Sequence, residues 1–159
     1  MLIRKAKKED FDQYYQLQKE FIDYMNNYNP NDLQITPIKK DLKENFLNLI
    51  KNKDRILLII EEDKTIIGFL DSGIITFKNT GWKYKYNKVG HLYDAFITKN
   101  YRGKGYFKKA LAILEKELKQ KGINKLNLMA EVFNKNAINV YHKLGFKILN
   151  YKMWKELKK

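Results

Sequence analysis

The chain has 159 residues, enough for one domain with a sizeable core, and its 44% apolar and 14% aromatic content excludes a disordered polymer. It contains no cysteine, which excludes a disulfide framework, a thiolate metal site and a cysteine nucleophile, and which fits a reducing, cytoplasmic setting. The formal charge of +14 brings nucleic acid to mind, but the lysines are spread through every segment, so the charge argues for a field that favours anionic ligands rather than for nucleic-acid binding as the main role.

Of the 32 basic residues only Arg4, Arg55 and Arg102 are arginine. No apolar run approaches the roughly 20 residues a membrane span needs; the longest, Ile56 to Ile60, reads as a buried strand. The opening "MLIRKAKKED" has no apolar stretch before a small-residue cleavage site, so no secretion signal is expected.

Residues 2–6 make a short strand, and 7–29 follow as an amphipathic helix with Phe11, Tyr14, Tyr15, Gln18, Phe21, Ile22 and Met25 at three- and four-residue steps. The Asn-rich "NNYNPND" ends it. A second helix over 36–54 places Ile38, Leu42, Phe46, Leu49 and Ile50 on one face. "RILLIIEED" and "KTIIGFLDSGIITFK" are two strands joined by a tight turn at Asp63-Lys64. "TGWKYKYNK" is a polar, aromatic connection, and "VGHLYDAFIT" is a strand that runs straight into "KNYRGKGYF". A helix over 104–121 buries Phe107, Ala110, Leu111, Leu114 and Leu118, and Gly122 caps it. Then come a strand over 125–132, a short helix over 134–144 stopped by Gly145, and a final strand or hairpin over 146–157. The order is that of a mixed α/β sheet in a single domain, 1–159, without repeats or linkers.

A strand that enters a helix through glycines makes an anion site. The first helical N–H groups lack an internal partner, the dipole adds positive charge, and glycine permits positive φ and close approach. Arg102, Lys104, Lys108 and Lys109 add charge, so 102–107 reads either as a pyrophosphate cradle or as a plain strand-to-helix turn. The Walker pattern is absent. The dinucleotide pattern would need glycine at position 108, which is lysine, and no acidic residue ends the strand at "KLNLM".

"YRGKGYFKKAL" resembles the R/Q-x-x-G-x-G/A loop of the GNAT superfamily, the acetyl-CoA-dependent N-acetyltransferases. Arg102 and Gly105 take the first two motif positions, and Phe107 stands where glycine or alanine is usual. Downstream, "NKNAINVYHKLGF" (134–146) resembles the family's second signature, N-x-x-A-x-x-x-Y-x-x-x-G-F, at every marked position. The matching core covers roughly 89–151; the N-terminal half agrees in element order. The resemblance implies the GNAT fold: a central, mostly antiparallel sheet, splayed between the strands at about 89–98 and 125–132 and flanked by helices.

It also implies acetyl-CoA as acyl-donor cosubstrate, no metal, and direct attack of a primary amine on the thioester. The strand before the loop would carry a β-bulge, with the pantetheine arm along Ala95, Phe96 and Ile97 and the pyrophosphate on Arg102, Gly103, Lys104, Gly105, Tyr106 and Phe107. A backbone N–H near Phe96 or Ile97 would polarise the acyl carbonyl. Tyr141 matches the family tyrosine that protonates the departing thiolate, and otherwise fills the inner face of its helix. Asn134 matches an asparagine that caps that helix or touches the cofactor. For the base, His91 stands near where some members carry a carboxylate, and Asp94 and Glu131 are the competing carboxylates. In a regular strand His91 shares a face with Tyr93, Ala95 and Ile97, with Asp94 opposite until a bulge shifts the register.

Two other readings remain: a basic module without turnover that binds nucleic acid or an acidic partner, and a CoA-binding sensor of the same fold. The acceptor, a small-molecule or peptide amine, is not written in the motifs; Trp82, Tyr84 and Tyr86 either wall its pocket or cover the sheet. No membrane partner is expected, and the chain is read as a monomer or homodimer.

Overall fold

The computed structural model describes every residue except 29–34, 79–80, 82–83, 154, 156 and 158–159, with the backbone alone at position 28. The Asn-rich terminator of the first helix and Trp82 lie largely or wholly outside the described residues. The chain divides into two compact units, 1–129 and 130–159, each described by itself.

The first unit contains β1 (Leu2–Lys5), a 3-10 turn, α1 (Phe11–Tyr28), α2 (Lys39–Lys51), β2 (Arg55–Glu62), β3 (Thr65–Thr76), β4 (Lys88–Ile97), a second 3-10 turn, α3 (Tyr106–Gln120) and β5 (Leu126–Leu128). The five strands lie in sequence order; the first four pair antiparallel, and β5 joins β4 in parallel. The fold is thus a mixed α/β arrangement around a mostly antiparallel sheet. Among the described residues no helix is long and apolar enough to cross a membrane.

β2 and β3 are buried on both faces, which is why "ILLII" reads as an unbroken apolar run rather than an alternation. On one face Leu57, Ile59, Phe69 and Phe96 pack under Phe11, Tyr14 and Leu17 of α1 and Phe46 of α2. Ile56, Leu58 and Ile60 alternate to the other face, covered by the α3 stripe of Ala110, Leu111, Leu114 and Leu118. Each such Leu or Ile contributes about 2 kcal/mol relative to remaining exposed.

The turn between β2 and β3 has positive φ at both Asp63 (49°) and Lys64 (65°). This is the backbone a two-residue hairpin needs to match strand twist, reached here without glycine. Glycine is obligatory at Gly68 for a different reason. A Cβ there would lie 2.6 Å from the Phe96 carbonyl oxygen, so the end of β4 can settle on β3 only if position 68 has no side chain.

Three expectations are corrected. β4 does not run straight into the glycine loop, because a 3-10 turn at Lys99–Tyr101 intervenes. β5 stops at Leu128 instead of reaching 132, because its partner β4 leaves it beyond Leu92 and a strand without a ladder partner does not persist. Among the described residues of 146–157 there is no strand, and Leu149, Tyr151, Met153 and Leu157 are exposed. Their apolar pattern finds no described ladder to join.

The second unit is built on α4 (Lys135–Lys143). Asn134 caps it, its side chain accepting from the Ala137 N–H at 3.2 Å. Gly145, with φ +89°, ends it as the Phe146 N–H donates to the Tyr141 carbonyl at 3.0 Å.

Arg4 ties the sheet edge to the first helical turn. Its guanidinium donates to Asp10 at 2.7 and 2.8 Å and to Glu61 at 3.0 and 2.7 Å. Lysine offers one ammonium point where this joint uses a planar fork. Arg4→Lys is therefore expected to lower stability by about 1–2 kcal/mol, read as a lower urea midpoint at unchanged slope.

Candidate active site

The register between β3 and β4 skips one residue. Asp71 pairs with Asp94 and Ser72 with Leu92, which leaves Tyr93 as a bulge. His91 lies opposite Gly73 and Asp94 opposite Asp71. A Cβ added at Gly73 would meet Arg55 and Tyr93, so His91, Tyr93 and Asp94 all look toward the α1–α2 face. In a regular strand Asp94 would face away from His91; the bulge brings the two together. Past it, Asp94 to Ile97 have no partner on the β5 side, since the β4–β5 ladder ends at Leu92–Leu128. The sheet opens there, as a splayed strand pair requires.

The opening leads to the glycine loop. Gly103 (φ +78°) and Gly105 (φ +76°) are both left-handed, and a Cβ at either would meet nothing within 4 Å. Backbone conformation, not crowding, therefore selects glycine, and the space beside the loop is open. Gly105 is the N-cap of α3 and supplies no side-chain cap; the first helical bond runs from the Lys109 N–H to the Gly105 carbonyl at 3.2 Å. An anion of pyrophosphate size fits this uncapped, positively polarised end. Phe107 is half-buried at the second helical position, and buried Tyr106 beside it donates to Glu62 at 2.9 and 3.0 Å.

Arg102 does something its motif position does not disclose. Its Nε donates to the Ile97 carbonyl at 2.8 Å, and its guanidinium lies over the rings of Tyr24 (5.2 Å) and Phe96 (5.3 Å). It braces the end of β4 while remaining exposed, as are Lys104, Lys108 and Lys109 around the loop.

His91 is fixed by a residue that no motif marked. Its Nδ1 and the Asn127 Oδ1 are 2.5 Å apart, across the β4–β5 junction. An amide oxygen only accepts, so Nδ1 is the donor, and in the neutral ring the lone pair a base needs is on Nε2. Asn127 had no local signal; only its pairing with His91 in the register identifies it.

A second polar group lies behind Asp94. Arg55 donates to Asp71 and stacks on the Tyr93 ring at 4.1 Å. Burial pushes both the Asp71 and the Asp94 carboxyl upward, Asp71 to about 6, against the opposing pull of Arg55. Neither Asp71 nor Arg55 stands out by motif; the signal is a lone aspartate in the apolar run "GFLDSG", diagonal to an arginine on the same face of the hairpin, since Asp71 pairs with Leu57 and Arg55 with Gly73.

In the second unit Tyr141 is half-buried on α4, with its ring 5.8 Å from that of Phe146 in an edge-on contact. Glu131 is exposed, and its carbonyl accepts from the Asn134 N–H at 2.9 Å. His142 is exposed, with Nδ1 3.2 Å from the Phe146 carbonyl. Among the described residues no group of three His, Asp or Glu side chains is placed to hold a metal ion.

A mostly antiparallel sheet, bulged and splayed beside a helix entered through two left-handed glycines, is the architecture of the N-acetyltransferase fold. The chain belongs to the acetyltransferase (GNAT) family, whose model matches residues 11–146. It is 35% identical over 83 residues to YycN, an uncharacterized N-acetyltransferase of Bacillus subtilis, covering 48% of this chain and 53% of that one. The chain thus spans about half the length of the curated relatives it matches. Among solved structures it resembles a predicted acetyltransferase of Clostridium acetobutylicum with acetyl-CoA (26% identity, TM-score 0.72, 99% of this chain and 95% of that one). It also resembles the aminoglycoside N-acetyltransferase AAC(6')-Iy in complex with a CoA bisubstrate analogue (18% identity, TM-score 0.74, 99% and 98% covered).

The raised Asp71 carboxyl has a consequence for stability. Its folded value lies above the ordinary 3.8, so the folded state holds a proton that the unfolded state releases first. The group therefore favours folding at low pH, and that contribution is lost as pH rises from about 4 through 6. Asp94, Tyr14 and Arg55 are the charged or titratable groups that act on it. Relative to Asp71→Asn, the wild type is expected to lose about 2 kcal/mol between pH 4 and pH 7, measured by urea unfolding at each pH.

Proposed function

We propose that this chain transfers an acetyl group from acetyl-CoA to a primary amine. The observation that carries the reading is the bulge at Tyr93, which opens the β4 edge and directs it toward an uncapped helix N-terminus. Backbone groups of Ala95, Phe96 and Ile97 take the pantetheine arm as an added strand would, and the amides of residues 103–107 take the pyrophosphate. Arg102 keeps the edge in shape through the Ile97 carbonyl.

The cosubstrate supplies a thioester carbonyl, which the N–H of Phe96 or Ile97 polarises. The amine nitrogen forms the new bond to the acyl carbon while the bond to sulfur breaks. His91, with Nε2 unprotonated, or the Asp94 carboxylate beside it accepts the amine proton, directly or through water. Tyr141 gives its phenolic proton to the leaving thiolate, a role supported by its place in "NKNAINVYHKLGF". Asn134 caps α4 and so holds the helix that carries Tyr141. Glu131, exposed in the second unit, is the weaker base candidate because water surrounds it.

Acetyl-CoA is expected to raise the melting temperature, and an amine panel read by CoA release is expected to give turnover. Tyr141→Phe should lower kcat by about tenfold or more with acetyl-CoA affinity nearly unchanged. Gly105→Val should instead weaken acetyl-CoA binding, because a β-branched residue resists positive φ and its side chain enters the open space beside the loop. No thermal shift with acetyl-CoA would refute the proposal, and full activity in Tyr141→Phe would remove the tyrosine's role.

A further inference from the structure

A cleft of about 410 Å³ opens between α1, α2 and the sheet, and its charge is opposite to that of the chain around it. Asp71 and Asp94 line it against a single guanidinium, that of Arg55, which leaves one negative charge inside a protein of net charge +14. The Asp71 side chain is more than nine-tenths buried, and one of its oxygens, Oδ1, has no hydrogen-bond partner; the Arg55 Nε is likewise buried without one. Asp94 accepts no hydrogen bond from any described residue. Buried carboxylate oxygens left in this state cost stability unless a donor reaches them.

The remaining walls are mixed. Tyr14 accepts from Gln18 Nε2 at 2.6 Å, so its own hydroxyl proton is available to a partner. Phe46 supplies an apolar floor, and the amide of Asn48 stands on the exposed α2 rim. Asp94 lies on β4 just before Phe96 and Ile97, whose N–H groups are assigned to the acyl carbonyl.

We infer that this cleft is the acceptor pocket and selects a primary monoamine that carries hydroxyl groups, its ammonium held by Asp94 and the Asp71 Oδ1 and its hydroxyls by Tyr14, Gln18 and Asn48. The inference deepens the acetyl-transfer proposal and rests on it for the direction from which the amine meets the acyl group. One net negative charge matches one ammonium. A polycation gains a single anchor in the cleft and meets the lysine-rich exterior with its other charges. A neutral polyol brings no cation to Asp94 or to the unpartnered Asp71 Oδ1. The upward push that burial gives both carboxyl groups is the penalty a bound cation would offset. Arg55, which shares the cleft wall, is a positioning residue: it donates to the Asp71 Oδ2 and leaves Oδ1 for the ligand.

The test is isothermal titration of the full chain with glucosamine, glucose and spermidine, each with and without saturating CoA. Glucosamine is expected to bind at least about tenfold more tightly than glucose or spermidine. Asp94→Asn is expected to weaken glucosamine about tenfold or more while CoA affinity stays within about twofold. Asn48→Lys, at an exposed helix position that tolerates the change, should weaken glucosamine similarly, and it carries the test if Asp94→Asn does not fold. Equal binding of glucose and glucosamine, no glucosamine binding, or glucosamine binding indifferent to both variants would overturn the inference. Failure of acetyl-CoA to bind with glucosamine binding intact would instead strike the acetyl-transfer proposal and leave the amine pocket standing.

Discussion

The site depends on one extra residue in one strand. With Tyr93 accommodated as a bulge, His91 and Asp94 share a face, the β4 edge separates from β5, and the backbone of Ala95 to Ile97 is left without a ladder on that side. Remove the bulge and the register shifts by one, so that Asp94 turns to the α3 face and Phe96 leaves the aromatic cluster with Phe69 and Phe21. The same residue that opens the sheet therefore also anchors it. Core packing of Phe96 holds the strand on one side while the other side stays free, and Gly68 makes this possible by giving up its side chain beneath the Phe96 carbonyl.

Electrostatics in this molecule work on two scales. The lysine-rich exterior sets a positive far field suited to a phosphorylated cosubstrate. Within the cleft, low dielectric and few counter-charges let two carboxylates dominate over a distance of a few ångströms. On the proposed reading, an anionic donor and a cationic acceptor are drawn to different regions of one basic protein, each by the field at its own length scale.

Much of this was legible in the sequence. Helices with a 3.6-residue stripe, such as α3 with Ala110, Leu111, Leu114 and Leu118, appear close to where their apolar period places them. The Asp63-Lys64 turn was legible from spacing alone, although its residue types are unusual for positive φ. The glycine loop was legible because left-handed backbone leaves a residue-level mark. What stayed hidden depends on a partner strand. The bulge position is set by β3 as much as by β4; Asp71 and Arg55 find each other only through hairpin register; and Asn127 meets His91 only because β5 lies beside β4. The early end of β5 and the lack of a strand among the described residues after Phe146 have the same reason, since β propensity is a capacity to pair and not a pairing.

The three arginines show how composition and geometry meet. Arg4 forks between Asp10 and Glu61, Arg55 bridges Asp71 and the Tyr93 ring, and Arg102 joins the Ile97 carbonyl to two aromatic faces. Each joint uses the flat, multidentate shape of guanidinium, which an ammonium cannot imitate. In a chain that uses lysine for 29 of its 32 cationic positions, arginine has become a rare character that spells out load paths between separate elements. An exchange of any of the three for lysine would keep the charge and lose the joint. These three letters are the ones to leave alone.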